Sequence, residues 1–390
     1  MKKLFAYIFL GVMLGSCIYP YTPELESDPE RTLVVDGQIL VGGISTFRLN
    51  YLTPLTSWYS LLHDSPQDGY NGYTSWIPFG TVWVEDEEGN RYGMQENVPT
   101  NYFRIDTGNA TLGKRYRAVV EVDGEHYTSS WLDPNPAPVI TDITFDADEY
   151  NVYVYVDLDS GLEGSGYIGF LYEETWQFHS DFYPEYEVIP GSWTYRNTME
   201  SQFEYSYYWC YRTLNSQQIV LLDYSNFEGG QVKKFPIQVF PRTDSRNHKR
   251  YSINVKAFAL SKEAFQYNKQ MQEMSEIGGD LFSPDPGALQ GNLTCESNPD
   301  KDVLGMVLAG DVTSKRAFLY NTYLIRRPVS FDFVMVTQEE MPLYYYDMNY
   351  RPVQETHTEE LGTFIGWGPH RCINCVEAGG YQETPDFWID

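Results

Sequence analysis

Histidine and cysteine stand close together once in this chain, at His370-Arg371-Cys372-Ile373-Asn374-Cys375. One imidazole and two thiolates at this spacing could hold zinc or copper. Two cysteines separated by two residues could instead cycle as a redox pair, but no thioredoxin-like βαβ pattern surrounds them. The third chemistry is structural: one or two disulfides staple the tail to the body, drawing on Cys210 and Cys295. Four cysteines allow three pairings, and the sequence does not choose among them. An oxidising, exported setting favours the disulfide reading over metal or redox chemistry.

Export is written at the other end of the chain. Met1-Lys2-Lys3 precedes an almost unbroken apolar stretch from Leu4 to Leu14, followed by Gly15-Ser16-Cys17. That order is a secretory signal, and the apolar stretch is shorter than the roughly 20 residues a membrane span needs. Leu14-Gly15-Ser16-Cys17 has the form of a bacterial lipobox. Residues 1–16 would then be removed, and Cys17 would carry the acyl chains that hold the mature protein on a membrane.

No other catalytic pattern emerges. The six histidines are His63, His126, His179, His248, His357 and His370, and none falls in H-E-x-x-H. Neither G-x-S-x-G nor a phosphate-cradling glycine loop is present. The 54 acidic residues supply many carboxylate pairs, and only geometry could single one out. Glu85-Asp86-Glu87-Glu88 lacks the ligand spacing of a calcium site and reads as a turn. Asp157-Leu158-Asp159-Ser160-Gly161 opens like a calcium loop but has Ile168 where the twelfth-position glutamate belongs.

The formal net charge is −27, and loss of Lys2 and Lys3 with the signal makes it −29. Such a chain is a poor partner for nucleic acid, whose binding relies on Lys and Arg displacing counterions. Anionic lipid surfaces are disfavoured for the same reason.

The elements that must position any site are β-strands. Aromatics make up 16% of the sequence, with 33 tyrosines, and these residue types suit pleated, half-buried surfaces. Without residues 1–16 the chain of 390 residues still exceeds what one core usually serves, so two domains or more are expected. Residues 17–31 form an acidic, proline-containing tether. Residues 32–137 read as an immunoglobulin-like or transthyretin-like β-sandwich. Its markers are the strand Thr32 to Leu40, the alternation Phe47, Leu49, Tyr51, and the tight-turn pair Asp123-Gly124 between two strands. Asp133-Pro134-Asn135-Pro136-Ala137-Pro138 marks the boundary.

Residues 138–390 read as a second β-sandwich with a disulfide-stapled, irregular tail. Val152, Val154 and Val156 share one strand face. One helix is expected at about 262–276, capped by Ser261 and stopped by Gly278-Gly279, with Ala264, Tyr267, Met271 and Met274 on its packed face. Val303 to Val307 and Ala317 to Tyr320 read as strands rejoining this second domain. Between Tyr167 and Tyr211 aromatics crowd an interrupted stretch, and Trp176, Phe182, Tyr183, Tyr186, Trp193 and Tyr195 are the candidates for contact with a ligand or partner.

These pieces together resemble a family of Bacteroidota outer-membrane lipoproteins known as domain of unknown function 4249. The resemblance rests on the lipobox, on Thr32 to Leu40 (TLVVDGQIL), and on Gly291-Asn292 followed by Asn298-Pro299 and Val303-Leu304-Gly305. Its most specific piece is the tail, Cys372-Ile373-Asn374-Cys375, Gly379-Gly380 and Pro385-Asp386-Phe387-Trp388. The resemblance implies a lipoprotein of the outer membrane, anchored on the cell surface, that docks on a TonB-dependent β-barrel transporter in nutrient uptake. It supplies no catalytic residues and no cofactor. A stand-alone module capturing a glycan, peptide or metal chelate is the second expectation, and a hydrolase the third.

Overall fold

The structure is a computed structural model. It describes residues 32–51, 80–98, 101–159, 166–183, 186–189, 194–197, 207–216, 218–225, 231–277, 291–320, 334–336, 346, 348–358 and 362–388. The signal, the tether with Cys17, and Trp193 lie outside the described residues.

The chain is mostly β, with several open sheets, no closed barrel and one α-helix among the described residues. It opens with β1 (Leu33–Leu40), β2 (Ile44–Tyr51), β3 (Gly80–Asp86), β4 (Arg91–Val98), β5 (Tyr102–Asp106), β6 (Tyr116–Val122) and β7 (Glu125–Ser129). β1, β2 and β5 form one antiparallel sheet, and β7, β6, β3 and β4 form another in that order. Alternation decides which faces meet. Leu33, Val35 and Ile39 of β1 and Phe47, Leu49 and Tyr51 of β2 are buried against Val82, Val84, Val120 and Val122. Each such side chain contributes on the order of 1.5–3 kcal/mol when removed from water. Asp123 and Gly124, at φ 53° and 79°, make the β6–β7 turn, a conformation that favours this residue pair.

A second core follows. β8 (Val139–Ala147) and β9 (Asn151–Asp159) precede β10 (Tyr167–His179), the longest strand of this part. β11 (Tyr186–Ile189) and β12 (Thr194–Asn197) form a separate hairpin. β13 (Trp209–Asn215), β14 (Val220–Asp223), β15 (Gln231–Pro241) and β16 (Arg250–Ala259) complete the series before α1 (Lys262–Ile277). β15, β9 and β8 make one sheet; β10 is central to the other, flanked by β13 and β14 on one edge and β16 on the other. Val152, Val154, Val156 and Leu158 of β9 pack on Ile168, Phe170, Ile253 and Val255. The Ser261 side chain caps α1, accepting from the Ala264 amide at 3.1 Å.

After the helix the chain returns to the first core. β17 (Leu293–Cys295) pairs with β7, and β18 (Val303–Leu304) and β19 (Val307–Gly310) run parallel to β1. This corrects the expectation that Val303 to Val307 rejoins the second unit. The Asn292 side chain brackets Val307, donating to its carbonyl at 2.8 Å and accepting from its amide at 2.9 Å. Gly305, at φ 108°, sits where a Cβ would be 2.0 Å from the Val35 carbonyl oxygen, so the crossing needs glycine. β20 (Thr313–Tyr320) then pairs with β16 in the second core.

β21 (Val334–Val336) falls within the apolar run Phe331 to Val336, which reads as a strand. β22 (Tyr350–Thr358) and β23 (Gly362–Pro369) join it in a three-stranded sheet where an irregular stretch was expected. Pro352 is accommodated at a register shift between Pro352 and Gln354. The tail beyond β23 folds back over β13, where Tyr211 and Tyr381 exchange backbone hydrogen bonds of 2.7 and 2.8 Å.

Candidate functional site

The tail resolves the cysteine alternatives. Cys210 on β13 is bonded to Cys375, with Cα atoms 5.7 Å apart across 165 residues of sequence. A loop that long is restrained by about 2–5 kcal/mol in the chain-entropy picture. Cys295 and Cys372 are buried and unbonded. Cys295 lies on β17, on the first core and not with the tail; its sulfur is 3.7 Å from the Glu125 carboxylate. The metal candidates His370, Cys372 and Cys375 do not form a ligand set, because the Cys375 sulfur is spent in the disulfide. Burial, with Asp181 nearby, pushes the Cys372 thiol up to about 11, so it stays protonated at neutral pH and is a weak ligand or nucleophile. Among the described residues no group of three or more His, Cys, Asp and Glu side chains is placed to hold a metal ion.

The aromatic candidates separate. Trp176 is 2% exposed and belongs to the core, so it is withdrawn as a contact residue. The Arg246 guanidinium lies 4.8 Å from its ring centroid. Phe182 and Tyr183 are half-buried beside the tail, where the Phe182 amide donates to the Cys372 carbonyl at 2.9 Å. Tyr186 and Tyr195 fall on the β11–β12 hairpin.

What the fold gathers near Tyr183 is a cluster absent from the sequence reading. The His179 ring stacks 4.2 Å from His248 and 5.1 Å from Tyr208, with Trp209 edge-on at 5.1 Å and Tyr183 4.8 Å from Tyr208. His179 Nδ1 is 2.7 Å from the Ser180 carbonyl, so that nitrogen carries the proton. These rings pack on one another, and Trp209 is the exposed member of the cluster.

A charge is buried on β10 at Glu174, which is 3% exposed. Its carboxylate accepts from the Tyr251 hydroxyl at 2.7 Å, Arg246 Nε at 3.0 Å and Gln238 Nε2 at 3.0 Å. Burial beside Glu174 holds the Tyr251 phenol well above its ordinary value. A carboxylate saturated in this way has no lone pair aimed at a substrate, and the group acts as a structural ion pair.

The open site lies between the two cores. A cleft of about 570 Å³ separates the outward face of β1 and β2 from α1 and the end of β16. Small-molecule sites typically span roughly 300–1,000 Å³ and favour such junctions. The register places Asp36 opposite Arg48 and Gln38 opposite Thr46, all on the face of the sheet turned away from the first core. These four make a polar wall. Leu171, Ile219, Phe258 and Met271 make the facing apolar wall, and Met306 and Leu308, beside β1 on the first sheet, border the polar one.

Asp36 remains open to solvent inside the cleft while protein crowds it. Crowding raises its carboxyl above the usual carboxylate value, opposed by the Met306 amide and the Arg48 guanidinium. Burial and the Asp36 charge together push the Tyr267 phenol up to about 12. Met271, expected on the packed face of the helix, is 45% exposed and lines this cleft instead. The one sequence signal for the site was an acid inside the apolar run of β1.

The described residues thus define a mostly β protein built on two cores, with an amphipathic cleft between them. The model of the domain of unknown function DUF4249 matches residues 18–316, and the chain belongs to that family. No curated protein matches it.

Proposed function

We propose that this protein is a lipid-anchored lipoprotein of the outer membrane, displayed on the cell surface. There it serves as an accessory or binding subunit of a TonB-dependent β-barrel transporter in nutrient uptake. The observation that carries the reading is the lipobox Leu14-Gly15-Ser16-Cys17 ahead of an acidic tether and a β-rich body. Membership of the family is consistent with it. The body offers a cleft and a saturated ion pair, which suits binding better than turnover. The mature charge of −29, from −27 less Lys2 and Lys3, suits a body held off an anionic bilayer by its tether.

Cross-linking in intact cells tests the role. The wild-type chain is expected to incorporate palmitate and to cross-link to a barrel, and Cys17→Ser to lose both. A wild-type chain that is lipidated but cross-links to no barrel would refute the docking role. Palmitate incorporation unchanged in Cys17→Ser would refute the anchor.

A second reading is favoured by one observation, the cleft itself: a module that captures a small ligand between its two cores. Loss of that ligand on blocking the cleft, with barrel docking intact, would separate the two readings.

A further inference from the structure

We propose that the cleft binds a small zwitterion with an apolar body, of amino-acid or dipeptide size. The inference rests on the ligand-capture reading of the cleft and is independent of docking to a barrel.

The argument begins with the charges. Of the residues lining the cleft, Asp36 and Arg48 are the two that carry charge, and they are direct cross-strand partners. Arg48 acts on Asp36 through space, yet among the described residues no ion pair joins them. A ligand entering here displaces water from both. A simple cation would satisfy Asp36 and be repelled by Arg48; a simple anion would meet the reverse. A neutral apolar ligand would desolvate both charges and leave Asp36 with only its bond from the Met306 amide, which is costly. A ligand carrying one ammonium and one carboxylate a few ångströms apart satisfies both. The Gln38 and Thr46 side chains beside them can complete its hydrogen bonds.

The opposite wall sets the rest of the ligand. Leu171, Ile219 and Phe258 offer apolar surface there, and Leu308 does so beside β1. Met271 across the cleft and Met306 beside β1 are unbranched side chains that adapt to different shapes. A cleft of about 570 Å³ leaves room for more than one apolar side chain. The polar wall sits on the first core and the apolar wall mostly on α1 and the second, so the ligand would bridge the two.

The test is isothermal titration of the full mature chain in detergent with L-phenylalanyl-L-leucine, its N-acetyl form and its C-terminal amide. The free dipeptide is expected to bind saturably, one per chain. Acetylation or amidation should each weaken binding by about tenfold or more, since each removes a charge-assisted contact. Asp36→Asn should reproduce the loss seen on acetylation and add little to it. Met271→Trp, on the exposed side of the helix, should weaken binding while leaving the thermal midpoint in place. The two modified ligands leave the protein untouched, so the outcome does not hang on any variant folding. Absence of saturable binding overturns the proposal, as does binding that Met271→Trp leaves unchanged. Equal binding of free and blocked dipeptides, abolished by Met271→Trp, would keep the cleft as a ligand site and overturn the zwitterion assignment.

Discussion

Replacing Gly305 by alanine should unfold the junction between the two cores. Gly305 has φ 108°, and an added Cβ would stand 2.0 Å from the Val35 carbonyl oxygen and 2.6 Å from its carbon. An L residue held at such a φ costs about 1–3 kcal/mol. The backbone clash adds a displacement of the returning strand, because neither partner is a flexible side-chain end. The Gly37 amide would then lose its 3.1 Å bond to the Met306 carbonyl. The Asn292 bracket on Val307, with bonds of 2.8 and 2.9 Å, would be strained as well. With about 1 kcal/mol for the bond lost and about 1 kcal/mol for the strained bracket, the total reaches about 3–5 kcal/mol. Gly42→Ala is the control: φ is 74° there, but nothing lies within 4 Å of the added carbon, so about 1 kcal/mol is expected. Urea unfolding followed by far-UV circular dichroism reads both variants. Equal losses would refute the reasoning, since Gly305 would then be serving conformation alone and not the packing of the return segment on β1.

Glu174→Gln removes the charge that Arg246 needs in a site where Glu174 is 3% exposed, and should cost about 3–5 kcal/mol. Adding Arg246→Met to it should recover part of that loss in the same urea titration; a strictly additive double variant would contradict the pairing. Tyr267 keeps its proton in the folded chain up to about 12, while the unfolded phenol ionises near 10. Between those values the unfolded state releases a proton that the folded state holds, so stability falls as pH rises, by about 2–3 kcal/mol. Tyr267→Phe should flatten that part of the pH–stability curve, and an unchanged slope would count against its burial. Cys210→Ser should lower stability by about 2–5 kcal/mol and expose the tail to proteolysis near Tyr381. Resistance to digestion would show that the backbone pairing of Tyr211 with Tyr381 holds the tail without the disulfide.

Local patterns in the sequence fared well where the physics was local. The alternation of Phe47, Leu49 and Tyr51, and of Val152, Val154 and Val156, matches the buried faces of β2 and β9. Ser261 caps α1 as its position suggested. What escaped depends on contacts between distant segments. Val303 to Gly310 could have joined any open edge, and periodicity does not say that β1 is its partner. The β22–β23 hairpin hid behind Pro352 and the glycines of Gly362–Pro369. The alternation of β1 and β2 puts Asp36, Gln38, Thr46 and Arg48 on the outward face, but such a face ordinarily meets water. Only the placement of α1 over it turns the face into one wall of a cleft. Trp176 shows the converse error: aromatic crowding marked it as a contact residue, and β10 carries it into the core.

The docking role is tested most directly by purifying the tagged, lipidated chain from detergent-solubilised outer membranes and identifying every chain that accompanies it. A TonB-dependent barrel in a one-to-one ratio, lost in Cys17→Ser, is the predicted result. A chain that emerges at its own mass of 45.1 kDa or less, with no barrel, would contradict it.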